Sequence, residues 1–400
     1  MKRKIAAIDV GTTKVCTIMG TLDSSSGLRV LGVGIAPSHG IEKALVANVT
    51  QAKESIRQSI KKAEMMAGYR LDSAYIGVTG KHISSMNNKG TIAITKNDQL
   101  VRGDDLRRVL DVALNIKAPV DRKMLHVIPR SYTLDGHEVK NPVGMHGYEL
   151  NVEAHVITAA VASVQNLTKC ISGIGVEIDD LVLEPLASAE AVLSEEEKQA
   201  GVLIADIGGG TTDIAVMREG SIYHTSVLPV AGHQVTRDIA AGLGLSFELA
   251  EEMKKKYGSL VPSSEEEGDR VVGENGHSVS YRDLCDIMRA RIEELMRLVV
   301  LELPRTDYAR LIPSGIVITG GGANVPGIVE MTQSITRLPV RIGIPPALNG
   351  VSNALLNDPA YSTSVGLVLW KMKNDNNTGR WVTKPTGLRG LFSSILRLFR

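Results

Sequence analysis

A chain of 400 residues, 43% hydrophobic and 22% charged, is long enough for two to four domains at about 100 to 200 residues each. That balance excludes a disordered chain and a disulfide-stapled miniprotein. Net charge is +1, which gives no ground for nucleic-acid binding, but it is unevenly spread: residues 371–400 carry seven Lys or Arg against Asp375, a balance of +6 that leaves −5 on the rest. Cys16, Cys170 and Cys285 are odd in number and form no CxxC pair, so they read as small buried apolar residues in a reducing cytosol. The basic start Met1-Lys2-Arg3-Lys4 leads into an apolar run that Asp9 and Lys14 interrupt, which argues against a signal peptide. The uncharged stretch from Leu311 to Val329 carries Pro313, Pro326 and five glycines, so no bilayer-spanning helix is expected there.

In chain order, Ile5 to Ile8, Val15 to Met19 and Leu28 to Ile35 read as strands of a meander, the first two joined by a Gly-Thr-Thr turn. Helical spacing of Val49, Ala52, Ile56, Ile60, Ala63, Met66 and Ala67, closed by Gly68, predicts a helix, and Ala74 to Val78 a strand. The pattern then changes. Gly90 to Thr95, Met124 to Leu134 and Leu150 to Thr158 read as strands and Asp104 to Asn115 as a helix, together an inserted subdomain. Helices near Val164 to Ile174 and through Ala187, Ala189 and Val192 follow, the second running into a charged loop from Ser194 to Lys198.

The opening motif recurs at Val202 to Asp213, where an apolar strand again ends in Asp, a glycine turn and paired hydroxyls, implying two halves of one duplicated fold. Residues 233–312 hold amphipathic helices and the acidic stretch from Ser263 to Gly276. A buried strand, Gly315 to Thr319, then meets Gly320-Gly321-Gly322, with a helix expected to start near Val325-Pro326. A glycine turn after a buried strand lets backbone N–H groups approach a phosphate that any Cβ would hold away. For the third turn alone, tight strand-to-helix packing explains the glycines equally well. The first two add a strand-end acid, Asp9 and Asp206. Burial of a carboxylate is unfavourable without a charged partner, and a divalent metal is the natural one. No GxxxxGK[ST], GxGxxG, HRD or DFG pattern occurs.

The segments Asp9 to Lys14, Asp206 to Asp213 and Gly320 to Ala323 resemble the two phosphate motifs and the adenosine motif of the actin, Hsp70 and sugar kinase superfamily, in the right order. Asn141 to Gly147 with Leu150 to Thr158 resembles the insert peculiar to the FtsA family of bacterial cell-division proteins, and nearly the whole chain matches that family. The resemblance implies an α/β, actin-like duplicated ATPase fold with an SHS2-like insert and a C-terminal amphipathic helix. Subdomain 1A would be 1–82 and 162–200, 1C 83–161, 2A 201–232 and 313–372, and 2B 233–312, with a linker at 373–386 and a helix at 387–400. It also implies ATP cradled by Gly11, Thr12, Thr13, Gly208, Gly209, Gly210, Thr211 and Thr212, with Lys14 neutralising phosphate. Mg2+ would be placed through water by Asp9 and Asp206, and adenosine held by Gly320, Gly321, Gly322, Ala323, Glu251 and Lys254. Glu184 resembles the acid that positions the attacking water, although a Glu before Pro also reads as an exposed helix start. Glu251 and Lys254 also fit a solvated i,i+3 pair. The nine His show no HExxH or tight cluster, and no metal site of the protein's own is expected.

In residues 387–400, Leu388, Leu391, Phe392, Ile395, Leu396, Leu398 and Phe399 fall within about 160° of a helical wheel, with Arg389, Arg397 and Arg400 on the remainder. A polar linker separates this segment from the fold. Docking on the protein's own core is one reading, and insertion in an anionic membrane face is the other. The family resemblance implies a peripheral protein on the cytoplasmic side of the cell membrane at the division septum. It would polymerise through the insert, tie FtsZ to the membrane and meet other divisome proteins, with ATP hydrolysis slow at most. The alternatives are an actin-like adaptor of type IV pilus assembly and a sugar kinase. On the residues alone, the insert carries no phosphate motif, so its deletion is expected to leave ATP binding largely intact.

Overall fold

The computed structural model describes residues 3–23, 27–115, 119–261, 270–273, 276–303, 308–350 and 353–376. The tail helix at 387–400, the linker beyond Asn376 and most of the acidic 263–276 stretch lie outside the described residues.

Two sheets repeat one topology. In the first half, Arg3–Val10, Lys14–Asp23 and Gly27–Pro37 form an antiparallel meander, and Ser73–Val78 then Glu177–Leu183 add in parallel beside the first strand. In the second half, Val202–Ile207, Thr212–Arg218 and Ser221–Leu228 form the meander, and Ile316–Thr319 then Val340–Ile342 add in parallel. The opening strands are buried along nearly their whole length, as expected where helices cover both faces of a sheet. Val49–Ala67 is one such helix. The Asn48 side chain accepts from the N–H groups of Thr50 and Gln51, and Gly68 closes the helix at φ 76°. Its buried stripe, Ala52, Ser55, Ile56, Ser59, Ile60 and Ala63, sits so close to the sheet that a Cβ at Gly32 or Gly34 would overlap helix backbone.

One core runs between the halves, joining Val182, Leu183 and Leu186 to Val202, Ile204, Ala215, Val365 and Trp370. The insert is a four-stranded sheet of Ile83–Ala93, Glu149–Ala160, Arg122–Leu134 and His137–Val139, covered by the helix Gly103–Ala113 with its own apolar cluster.

Four expectations change. The first insert strand is Ile83–Ala93, not Gly90 to Thr95, because its early residues are polar and hydrogen-bond to the second half, with Ser85 Oγ donating to Thr225 O at 3.0 Å. Ser194 to Lys198 is not a loop: Ser194 caps the helix Glu195–Ala200 in a reciprocal box with Glu197. After the third glycine turn a 3-10 segment, Gly321–Asn324, delays the helix to Ile328–Thr336. Finally, the last helix, Ser362–Asn376, runs through residues 373–376, where Lys373 pairs with Glu190 at 2.9 Å and Glu195 at 3.1 Å. All three cysteines are buried, and among the described residues no helix is long and apolar enough to cross a membrane.

Candidate functional site

Each half brings a hairpin to the same place. Gly11 N–H donates to Lys14 O at 3.0 Å, and Gly208 N–H donates to Thr211 O at 2.9 Å, so the two turns close alike. They face one another: a Cβ on Gly209 would overlap Thr13 Cγ2, and one on Gly210 would lie 2.5 Å from Thr12 Oγ1. Among the described residues, the N–H groups of Thr12, Thr13, Gly209 and Gly210 donate to no protein acceptor, which leaves a set of donors suited to an anion.

The strand-end acids lie at the base of this cleft. Asp9 Oδ2 accepts from Ser364 Oγ at 2.6 Å; Asp206 Oδ2 accepts from Ser188 Oγ at 2.5 Å and Thr363 Oγ1 at 2.9 Å. Burial raises both carboxyls, an effect that Lys14 and these hydroxyls partly offset. Asp213 joins them, accepting from Thr79 Oγ1 and from Thr211 Oγ1, and burial pushes it up to about 7 despite those bonds. Glu184 is only 9% exposed, so it is not a solvent-facing helix start. Burial, then the charges of Asp9, Asp213 and Asp206, hold it well above the usual carboxylate range, with Lys14 opposing. All four acids are buried and feel one another, and Lys14, whose Nζ stands 4.9 Å from the centre of the Tyr361 ring, acts on Asp9, Asp206 and Glu184. A hard divalent cation suits such an oxygen-rich set.

Thr212 does not join the cleft. Side chains alternate along a strand, so Thr211 and Asp213 share a face while Thr212 Oγ1 donates to Val230 O at 2.8 Å on the other. In the third turn, Gly320 has φ +80° and an added Cβ would lie 2.6 Å from Ile207 O, while Gly322 packs on the Ile207 side chain. A Cβ on Gly321 would meet only Ala360 Cβ, at an ordinary contact distance of 3.9 Å, and the Ala323 methyl is buried in the core of the second half. Glu251 and Lys254 do pair, at 2.5 Å, and not as a solvated pair: their side chains are 19% and 13% exposed. Lys254 Nζ also donates to Gly232 O at 3.1 Å and Thr236 Oγ1 at 2.8 Å. Burial alone would raise the Glu251 carboxyl, but the Lys254 charge and the hydrogen bonds from Lys254 and Thr236 bring it down to about 2. Gly232 N–H and His233 N–H donate to Gly208 O and Gly209 O, at 3.1 and 2.7 Å, tying this pair to the second hairpin.

The site residues that sequence reasoning missed are Thr79, Ser188, Asp213, Thr363 and Ser364. Asp213 stood inside the quoted motif, and its place two residues after Thr211 on a strand is a readable signal. The serine and threonine partners lie in unrelated segments and carry none.

A duplicated meander-plus-parallel sheet with facing glycine hairpins defines the actin-like ATPase fold. Solved structures agree: the type IV pilus biogenesis complex PilM-PilN matches with TM-score 0.63 at 16% identity, covering 92% of this chain and 98% of that one. MreB 5 of Spiroplasma citri bound to AMPPNP matches with TM-score 0.57 at 16% identity, covering 94% and 99%. Family models narrow this further: residues 203–366 match the cell division protein FtsA and residues 80–158 the SHS2 domain inserted in FtsA. Curated FtsA proteins are 41% identical over 381 residues in Pseudomonas aeruginosa (94% of this chain, 91% of the relative) and 34% identical over 380 in Bacillus subtilis (94% and 84%). That of Escherichia coli strain K12 is 33% identical over 380 (92% and 90%). The chain belongs to the FtsA family of cell division proteins.

Proposed function

We propose that the cleft binds ATP with Mg2+. The observation that carries this is the pair of facing hairpins, whose unpaired N–H groups and buried acids match a polyphosphate and its cation. Thr12, Thr13, Gly209, Gly210 and Lys14 would hold the phosphates, and Asp9 and Asp206 the hydrated Mg2+. The cation would supply charge neutralisation and a Lewis acid at the phosphates. Gly321, Glu251 and Lys254 would border the nucleoside. Glu184, whose carboxyl is held above the usual carboxylate range by burial and then by the neighbouring acids, is the residue suited to hold an attacking water. Calorimetric titration with MgATP tests the binding: saturable heat in the wild type that Asp206→Ala removes is the expected result, and no heat in either rejects the site.

On the family's role we propose further that the protein self-associates through the insert and ties FtsZ to the cytoplasmic face of the membrane at the septum. The anchor would be the segment containing Leu388, Leu391, Phe392, Ile395, Leu396 and Phe399 with Arg389, Arg397 and Arg400. FtsZ would meet residues 233–312, where Arg297 on the helix Tyr281–Leu301 has a 63% exposed side chain. Other divisome proteins would follow. Reversing Arg297 and the exposed Glu248 should weaken co-pelleting with FtsZ; unchanged pelleting moves the contact elsewhere.

A further inference from the structure

Glu184 opens the helix Glu184–Val192 directly after the strand Glu177–Leu183. Among the described residues that strand is the edge of the six-stranded sheet, pairing only with Ser73–Val78, where Leu183 lies opposite Val78. A buried edge N–H needs an acceptor from outside the sheet. At Leu183 the acceptor comes from the insert: Leu183 N–H donates to His126 Nε2 at 3.1 Å. A donor aimed at Nε2 requires the lone pair there, so the bond assigns the neutral ring with its proton on Nδ1. His126 is 2% exposed, and its ring meets that of Trp370 edge-on, with centroids 6.0 Å apart and planes at 62°.

We propose that His126 is a positioning residue for Glu184, and that through it the insert sets where this acid points in the cleft. The proposal rests on the reading of the cleft as an ATP site. No side chain caps this helix start, and Pro185, at its first turn, has no N–H to donate. Little room is left for a shift to go unnoticed, since a Cβ on Gly77 would lie 3.1 Å from Glu184 Oε1. Ile128, two residues along the same insert strand, and Ile157, opposite His126 in the sheet, share one core with Leu183 and Leu186. The other side of the insert is fixed to the second half, where His155 Nε2 lies 3.0 Å from Thr225 Oγ1 and Ser221 Oγ donates to Pro129 O at 3.0 Å. The insert thus touches both sides of the cleft, and His126 is the contact next to the acid.

Amide hydrogen exchange of the full chain, with and without MgATP, tests this in the wild type, His126→Leu and His126→Gln. The Gln amide oxygen stands near the place of Nε2 and still accepts. In the wild type, ATP is expected to slow exchange in the hairpins at 9–14 and 206–213 and, with them, at 122–130 and 180–186. His126→Leu should keep hairpin protection and lose the response at 122–130, and His126→Gln should retain both. A Leu variant that responds like wild type at 122–130, or a Gln variant that fails like Leu, overturns the proposal. If circular dichroism finds the Leu variant unfolded, His126→Asn, too short to reach Leu183, is judged by the same criteria. Hairpins that ATP leaves unprotected in the wild type would overturn the nucleotide reading itself, and this proposal with it.

Discussion

At Gly209 the side chain is missing because the opposing hairpin occupies the space, with Thr13 Cγ2 where a Cβ would be. Valine there would push the two hairpins apart and cover the N–H groups around it, so Gly209→Val is expected to abolish ATP binding. Calorimetric affinity equal to wild type would show that the phosphates lie elsewhere. His155 offers a second test. Burial, with the charges of His224 and Arg130, lowers it from 6.5 to about 3, so the folded chain keeps it neutral. The folded value lies below the unfolded one, so as pH falls the unfolded state takes up the proton first. Its contribution is complete above about pH 6.5 and is lost from there toward pH 3, at up to about 1.4 kcal/mol per pH unit. Thermal melting at pH 7 and pH 5 should show a larger drop for the wild type than for His155→Gln. Equal drops would assign the acid sensitivity to other groups.

At the scale of elements, the last helix organises the cleft. Its first turn supplies Ser364 to Asp9 and Thr363 to Asp206, and it crosses the Glu184–Val192 helix at Gly366, where an added Cβ would overlap Ala187 O. Gly366→Val must spread the two helices, and overpacking of this kind destabilises by about 1–3 kcal/mol or more. Urea unfolding should read this as a lower midpoint, and an unchanged midpoint would mean the crossing is loose. The insert is less separable than its lack of a phosphate motif suggests. Ile128 is fully buried in the core shared by the halves, and removing residues 83–161 would open that core and leave Leu183 N–H without its acceptor. Ile128→Ala alone should lower stability by about 2–5 kcal/mol. Filament assays are therefore better made with surface substitutions than with a deletion, contrary to the expectation from sequence.

For the whole molecule, the decisive proposal is the tail. Three arginines near anionic headgroups add about 1 kcal/mol each to apolar insertion, enough for reversible binding that a filament multiplies by avidity. Phe392→Glu, or a chain ending at Thr386, is expected to stay in the supernatant with anionic liposomes while still binding ATP. Either one pelleting with the vesicles would move the anchor elsewhere.

The features legible in the amino-acid order are those whose parts lie within a few positions of each other. Asp9 with its Gly-Thr-Thr turn, Asp206 with its glycines, and Val49–Ala67 between Asn48 and Gly68 are all such units, because a strand end, a turn and a cap are decided by adjacent backbone. The repeat of one unit after about two hundred residues was enough to expose the duplication. Tertiary structure alone decided which pieces meet. Ser364 reaches Asp9 across 355 positions, and Leu183 finds His126 across 57; no local pattern encodes a partner that distant. Nor did spacing distinguish a buried Glu184 from an exposed one, or the inward Thr211 from the outward Thr212. Burial and facing follow from how two sheets and an insert close on one another, and that closure is settled by the packing of the whole chain.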